Sequence, residues 1–567
     1  MRQPKGILDM KVFRDSRYGR VSALLVVLIL LAAACGGGSS KKGLIEYTEI
    51  DDQRGKSHVV IDMTDNAFGP QNVRVDPGTT VEFVNKGRAA HQIDANNQDG
   101  FGIGFGSDGV VKVKEKYEFT FDEPGTYRYF CKLHGSTVAG MIGAIVVGDG
   151  PLDEVPTANT QASKEETLRV PQDFPTIQAA VDASKVGALI LVDKGTYNEA
   201  VEVNPGHENI TIRGVDRNET ILDGEFSEER PNGFKVLANG VAIENLTAMN
   251  YTTNAFYWIG VTGYRGSYLN SYRTGDYGVY AFDSTDGQLD NTYAAGSADA
   301  GFYIGQCYPC NAVIDNVVSE WNGLGYSGTN AGGNLLIVNS VWRYNRAGIV
   351  PNSGTGETMW PERETTIVGN LVYGNNNDKT PAISIAETAI GNGILLAGAN
   401  DNIVERNMVF DHDISGIATI PLPEKVLDPE NPAAIDFDAT GNSVRDNVLS
   451  DNRVADLLNV KNITEPADAG GNCFTGNSYS ISMPIDIQML LPCDGEPVGT
   501  YEAPLAKFIE LFTAAKPGAP DYKDAELPEM PIGENMPDPL GSPAQPATPE
   551  NVPYAVDLTV IVVPPKP

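Results

Sequence analysis

An asparagine set among apolar residues recurs nine times in the chain: Asn245 (Ile-Glu-Asn-Leu), Asn270, Asn291, Asn316 (Ile-Asp-Asn-Val), Asn339 (Ile-Val-Asn-Ser), Asn370 (Val-Gly-Asn-Leu), Asn407, Asn447 and Asn477. The intervals are 25, 21, 25, 23, 31, 37, 40 and 30 residues. A basic period in the low twenties, with β-branched strands and Asn or Gly turns, is the signature of a repeating coil. It specifies a solenoid, in which each coil covers the apolar face of its neighbour. Longer intervals mark loops added to coils, here Asp378 to Ile390 and Pro421 to Ile435. Such inserts are expected to project from one side and to line a binding face. The nine asparagines are expected to be structural, as turn residues or as a stacked ladder satisfying backbone groups.

The entry to this region is distinct. Val170-Pro-Gln-Asp-Phe-Pro-Thr-Ile-Gln-Ala-Ala-Val-Asp-Ala183 places Thr176 before an amphipathic stretch of Ile177, Ala180 and Val181, the pattern of one short capped helix. The strand-like runs Ala188 to Val192, Ala200 to Val203 and Ile210 to Gly214 follow. This entry resembles the start of right-handed parallel β-helix proteins of the pectin lyase-like kind, in which a helix would plug the open end of the coil. The resemblance implies a β-helix over 167–495. Polysaccharide lyases and hydrolases of that fold use Asp or Glu clusters, often with Arg or Lys. Arg273, Asp276, Asp283, Asp286 and Asp290 are the candidates here, with Asp276, Asp286 and Arg273 foremost. Tyr257, Trp258, Tyr264, Tyr268, Tyr272, Tyr277 and Tyr280 lie near them in sequence and would stack on sugars. A plainer account is that an acidic chain carries Asp at turns and that strands favour aromatics. Asp411-His412-Asp413 reads as a solvated turn, with a metal or imidazole site as its alternative. The region also resembles the periplasmic copper-associated β-helix protein of nitrous oxide reductase maturation, which raises copper delivery as a possible role at the level of fold only.

Residues 45–148 carry the sharpest chemical pattern. His58 to Met63, Gln71 to Asp76 and Thr80 to Asn85 alternate in strand fashion around the turn Pro77-Gly78, as a Greek-key sandwich requires. His91 stands alone. Forty residues later Gly125-Thr-Tyr-Arg-Tyr-Phe-Cys131 leads to His134, and Gly140-Met141 precedes an apolar strand. One upstream His, then Cys, His and Met on one loop between two strands, is the donor set of a type 1 copper site. Two imidazoles and a thiolate form a trigonal set, and a weak axial thioether suits both Cu(I) and Cu(II). The stretch resembles plastocyanin-like cupredoxins, which implies one copper held by His91, Cys131, His134 and Met141. It also implies electron transfer through the edge of His134. The one Cys of the domain excludes a binuclear copper centre, and five histidines in all exclude the trinuclear cluster of a multicopper oxidase.

Arg2, Lys5, Lys11, Arg14, Arg17 and Arg20 precede the apolar run Val21 to Leu31, then Ala32-Ala-Ala-Cys35. The run is shorter than the roughly 20 residues of a membrane span. The segment resembles a bacterial lipoprotein signal over 1–34, with Cys35 lipidated and 35–44 as a tether. That implies an exported protein, attached to the outer face of the cell membrane, or in the periplasm or on the outer membrane, through the lipid alone. In an oxidising compartment the four remaining cysteines are expected to pair Cys307 with Cys310 and Cys473 with Cys493, among three possible connectivities. A redox dithiol or half a zinc site at Cys307-Tyr-Pro-Cys310 is the alternative. The net charge of -33 excludes nucleic acid as a partner. A redox protein or an envelope polysaccharide is the expected partner. Residues 149–166 read as a linker, and the proline-rich acidic tail 496–567 as extended or disordered, with Ala555 to Val563 apolar enough for a docked strand. The whole is an all-β protein: a Greek-key cupredoxin followed by a parallel β-helix. Its expected function is electron transfer by copper, with a polysaccharide lyase or hydrolase and copper delivery as the alternatives.

Overall fold

The structure is a computed structural model. It describes residues 50–567 except 65, 88–89, 96–100, 103–108, 151, 153–165, 428–433, 461–469, 503–509 and 512–513. Residues 1–34 and Cys35 lie outside the described residues.

The first domain has eight described strands: β1 (Asp51–Asp52), β2 (His58–Thr64), β3 (Ala67–Gly69), β4 (Asn72–Val75), β5 (Thr79–Asn85), β6 (Lys116–Phe121), β7 (Gly125–Gly135) and β8 (Gly140–Val147). They form two four-stranded sheets, in the orders β1-β4-β8-β7 and β3-β2-β5-β6. Alternation dictates the sandwich: in β2, Val59, Ile61 and Met63 point inward while His58 and Val60 face solvent. Val59, Ile61, Val81 and Phe83 of one sheet meet Val73, Val75, Tyr129 and Ile145 of the other in a single core.

From Thr167 the chain winds into a parallel β-helix with three long faces. Among the described residues these are a 12-stranded sheet I, from Thr167–Val170 to Cys473–Thr475; a 10-stranded sheet II, from Gly195–Tyr197 to Val448–Ser450; and an 11-stranded sheet III, from Val201–Val203 to Ser482–Met483. In-register pairing builds one inward column on sheet I: Ile190, Ile212, Ile243, Gly266, Leu289, Ile314, Ile337, Ile367, Val404, Val444 and Phe474. Each apolar side chain of this column is fully buried, stabilising the stack by roughly 1.5–3 kcal/mol apiece. Helix α1 (Ile177–Ala183), capped by Thr176 accepting from the Ala179 N–H, covers the first coil with Ile177, Ala180 and Val181.

The corners carry asparagine ladders. At the turn from sheet I to sheet II, the residues with positive φ are Asn245, Tyr268, Asn291, Asn316, Asn339, Gly369, Arg406, Asp446 and Gly476. The first five of these are spaced 23, 23, 25 and 23 residues apart. Asn370, Asn407, Asn447 and Asn477 stand one position later, and each accepts the backbone N–H of the residue one coil earlier. The nine asparagines of the sequence pattern therefore occupy different places in the turn: four in the left-handed conformation, four on the buried ladder, and Asn270 at the start of the sheet II strand. Two further ladders run through Asn322, Asn345 and Asn375, and through Asn402, Asn442 and Asn472.

Both inserts lie over sheet III. Ile383 donates its N–H to Ala298 O, Ala382, Ala386 and Ala389 cover Ala300 and Ala347, and the second insert opens and closes with the strand pair Leu422–Pro423 and Asp436–Phe437. The structure pairs Cys307 with Cys310 and Cys473 with Cys493.

The described part of the tail is an extended strap rather than a loose end. Arg346, Arg273, Arg217 and Arg213 in turn donate to backbone carbonyls of Pro517, Tyr522, Glu534 and Ser542. The tail then reverses. Arg406 donates to Leu558 O, and Ile561 seats against Val313, Val338 and Val368. The apolar end segment docks as expected but through a short turn, Leu558–Val560, not a strand.

Candidate metal centre

Strand β7 carries two of the expected ligands. Its pairing with β8 runs regularly to Phe130, breaks, and resumes only at Gly135 opposite Gly140. Cys131 and His134 therefore sit in an irregular stretch of an otherwise continuous hairpin, not on an open loop. The turn is tight enough to require glycine. A Cβ on Gly135 would stand 2.6 Å from Met141 N, and Gly140 has φ +78° with His134 O at 2.7 Å from any Cβ. His91 is brought in by two bridges, His91 with Val111 and Asp94 with Phe130, which lay residues 91–94 along β7.

The result is a buried cluster. His91 Nδ1 lies 3.1 Å from His134 Nδ1 and 3.9 Å from Cys131 Sγ, and His134 Nδ1 lies 3.3 Å from Cys131 Sγ. A metal bonded at about 2.0 Å to each nitrogen and about 2.3 Å to the sulfur in a trigonal plane needs donor separations of about 3.5 Å. The side chains present fit that requirement. Gln92 donates its backbone N–H to Cys131 Sγ at 3.4 Å, a bond that favours a thiolate. Met141, fully buried at the start of β8, shares the apolar cluster that encloses Cys131. Burial first, then His91 and Lys235, hold the His134 imidazole well below its ordinary value, so it stays neutral and able to ligate. Burial pushes the free Cys131 thiol up. A second grouping joins exposed His58 and Glu118 to half-buried Glu82, and its two carboxylates already hold Lys116.

The β-helix covers this end of the sandwich. Lys235 Nζ donates to Gly135 O at 2.6 Å and Lys132 O at 3.2 Å, and Ser136 Oγ donates to Asn204 at 2.7 Å. Tyr257 donates to Asn66 Oδ1, whose amide donates to Tyr280. Ala139 packs with Leu237, Ile259 and Phe282. None of these contacts was signalled by the sequence, because each joins residues more than 60 positions apart with no local motif.

The acidic candidates do not converge. Arg273, in the sheet II strand Asn270–Thr274, is spent on the tail carbonyls of Tyr522, Lys523 and Ala525. Asp286 lies in the sheet I strand Thr285–Asp290 and accepts from Asn311. Asp290, on the same strand, is buried and accepts from Ser267 and Gln288. Asp276 stands at the corner between sheets II and III, and Asp283 follows the sheet III strand Val279–Phe282. Trp258 and Tyr264 are fully buried in the solenoid core, which removes them from any sugar. His412 is not in a solvated turn. It replaces an asparagine in a ladder, between Asn375 Nδ2 at 3.1 Å and Asn452 Oδ1 at 2.7 Å.

A two-sheet sandwich with two histidines and a cysteine converging beneath its end strands defines the cupredoxin class of copper-binding domain, here joined to a β-helix. Residues 56–148 match the plastocyanin/azurin family of copper-binding proteins, and residues 239–420 match the right-handed β-helix region family. The chain belongs, through its first domain, to the plastocyanin/azurin family. It is similar to pseudoazurin of Paracoccus pantotrophus, 32% identical over 107 residues that make up 18% of this chain and 68% of that protein. Among solved structures, the mannuronan C-5 epimerase A-module of Azotobacter vinelandii aligns with 54% of this chain and 90% of its own, at 14% identity and a TM-score of 0.39. A reduced amicyanin variant aligns with 16% of this chain and 81% of its own, at 26% identity and a TM-score of 0.14.

Proposed function

We propose that this protein is an exported, lipid-anchored carrier of single electrons, with one type 1 copper held by His91, Cys131, His134 and Met141. The buried convergence of His91, Cys131 and His134, with a backbone N–H on the sulfur, carries the reading. Bound copper would supply a one-electron couple, and a thiolate with two imidazoles and a soft thioether serves both oxidation states with little rearrangement. The protein's own part is to hold the donors in place, keep water from the sulfur and keep the His134 imidazole neutral. The β-helix serves as a rigid body that covers the ligand stretch and meets the partner.

Copper delivery is less well supported, since a buried set closed over by a second domain favours retention. A polysaccharide lyase is less well supported too, since Asp286 lies on sheet I, Arg273 on sheet II and Asp276 at the corner between sheets II and III, and Arg273 is engaged by the tail. The test is the visible absorption and electron spin resonance spectrum of the full chain with one equivalent of Cu(II), beside Cys131→Ser. An intense blue band with narrow copper hyperfine splitting, lost in the variant, is expected. A pale spectrum indifferent to the substitution would overturn the assignment.

A further inference from the structure

At the corner from sheet II to sheet III, successive coils pass one residue in the left-handed conformation, and register pairing stacks these residues in a column. Asn250, Gly296, Gly374, Asp411 and Asp451 suit the place, because glycine has no Cβ and Asn or Asp bonds its own backbone. Arg273 is held there by the tail carbonyls. Trp321 and Tyr344 are the bulky exceptions. They follow the strands Val318–Glu320 and Val341–Arg343, which pair in register, so they hold the same place in two consecutive coils, with φ of +59° and +55°. Backbone strain of this kind clusters where a protein meets a ligand.

Burial does not account for the two rings. Tyr344 is 39% exposed and Trp321 is half-buried. The tail reaches the column on either side of them, where Leu527 lies against Gly296 and Lys566 Nζ pairs with Asp451 at 2.9 Å. The Trp321 ring centroid lies 6.4 Å from that of Tyr344, and the Tyr344 centroid lies 5.4 Å from that of Tyr373, which stacks on Phe410 at 5.0 Å with planes at 3°. Tyr373 and Phe410 are buried and form the footing of the row. Gly374 leaves room for it, since a Cβ there would stand 3.0 Å from the Tyr344 ring. Beside the rings, Arg343 donates to Glu320 at 2.5 Å and to the Tyr373 hydroxyl at 3.0 Å.

Flat apolar faces bordered by a guanidinium and a carboxylate match the two sides of a pyranose. Its C–H face covers a ring, and its equatorial hydroxyls meet planar polar groups. The coils rise by about 4.8 Å, close to the length of one sugar in an extended chain, so consecutive coils meet consecutive sugars. Arg343 is compensated by Glu320, and a protein of net charge -33 repels a polyanion, which favours an uncharged chain.

We propose that the corner carrying Trp321 and Tyr344 binds an extended, neutral polysaccharide of β-linked hexopyranoses, its sugars stacked on the two rings and its hydroxyls bonded to Arg343 and Glu320. The inference goes beyond the electron-carrier reading, because it gives the β-helix a ligand of its own and needs no copper. It assigns binding and not cleavage.

The test is calorimetric titration of the copper-free full chain with cellohexaose, with maltohexaose, whose α-linkages coil the same sugar, and with the polyanion hexagalacturonate, beside the tryptophan emission of each mixture. Cellohexaose is expected to bind saturably, one per chain, at least tenfold more tightly than either of the others, and to shift the emission. Trp321→Asn and Tyr344→Asn each place in the column the residue type that Asn250 already supplies there. Each should weaken binding tenfold or more while the thermal midpoint holds or rises. Trp360→Asn, at an exposed aromatic that meets Phe437 elsewhere on the surface, should leave binding unchanged. A lowered midpoint in both Asn variants of the column would make the rings packing residues and overturn the proposal. Equal loss in Trp360→Asn would mean adsorption to exposed aromatics in general, with the same consequence. Absence of saturable cellohexaose binding, or tighter binding of hexagalacturonate, would overturn it too. Because no copper is present, each of these results leaves the copper assignment to its own spectrum.

Discussion

Glu362 illustrates what a carboxyl must become to live inside a β-helix. It is fully buried, accepts from Thr365 Oγ1 and Asn402 Nδ2, and is pushed up to about 8 by burial. The folded chain thus keeps a proton that the unfolded chain releases near the ordinary carboxyl value. Its stabilising effect is complete in acid and is lost as pH rises toward about 8. Glu362→Gln removes that loss. In urea unfolding from pH 5 to pH 8 the variant should gain on the parent, by on the order of 3 kcal/mol at the upper end; parallel curves would show that Glu362 is ionised in the fold. His412 works in the other direction. Burial lowers it to about 4, so it stays neutral in its ladder and its contribution fades as pH falls below the ordinary imidazole value toward about 4. The flanking aspartates suggested water in the sequence, yet the ladder takes His412 in because a neutral imidazole, like an asparagine, can accept on one side and donate on the other.

At the scale of the element, the corner ladders decide which coils stack. Asn407 Oδ1 accepts the Asn370 N–H at 2.9 Å, while its amide donates to Ile367 O and Asn447 Oδ1 at 3.0 and 2.9 Å. Asn407→Ala leaves the buried Asn370 N–H without its acceptor and takes a donor from Ile367 O and Asn447 Oδ1, so a loss of about 2–4 kcal/mol is expected. Asn316 belongs to the same recurring pattern but lies exposed one place earlier in the turn, with φ +54° and a side-chain bond to Asn291. Asn316→Ala should cost about 1 kcal/mol, chiefly for the left-handed backbone. Comparable denaturation midpoints for the two variants would refute the distinction. The pair also shows how much of the solenoid the sequence made legible. The period, the short entry helix and the inserts were readable because each is a local pattern. The register was not, because two adjacent turn positions both select asparagine, one for the left-handed backbone and the next for the ladder. Counting asparagines alone mixes the two, and at Asn270, which starts the sheet II strand, it returns intervals of 25 and 21 where the left-handed residues repeat at 23 and 23.

At the scale of the whole molecule, long-range contacts give this chain what neither domain pattern contains. The convergence of His91, Cys131 and His134 was legible because Cys and His share one short stretch after a lone upstream His. The strap and the covered ligand stretch were not, because prolines and scattered arginines carry no partner information until the coils are stacked. Lys235 is the centre of that cover, pairing with Glu202 at 2.7 Å while donating to Gly135 O and Lys132 O. Such a desolvated cation, bonded to the backbone on either side of His134, holds the β-helix against the turn that carries the ligand stretch. In the copper-free full chain, Cys131 should therefore react slowly with a thiol-specific dye. Lys235→Met should raise that rate tenfold or more, because Gly135 O and Lys132 O lose their donor and the seal opens. Arg273→Met, which loosens the tail on sheet II, should leave the rate unchanged. If both substitutions accelerate labelling equally, general loosening rather than the Lys235 seal governs access. If neither does, the sandwich alone shields Cys131, and the β-helix would contribute nothing to the dryness on which a stable thiolate ligand depends.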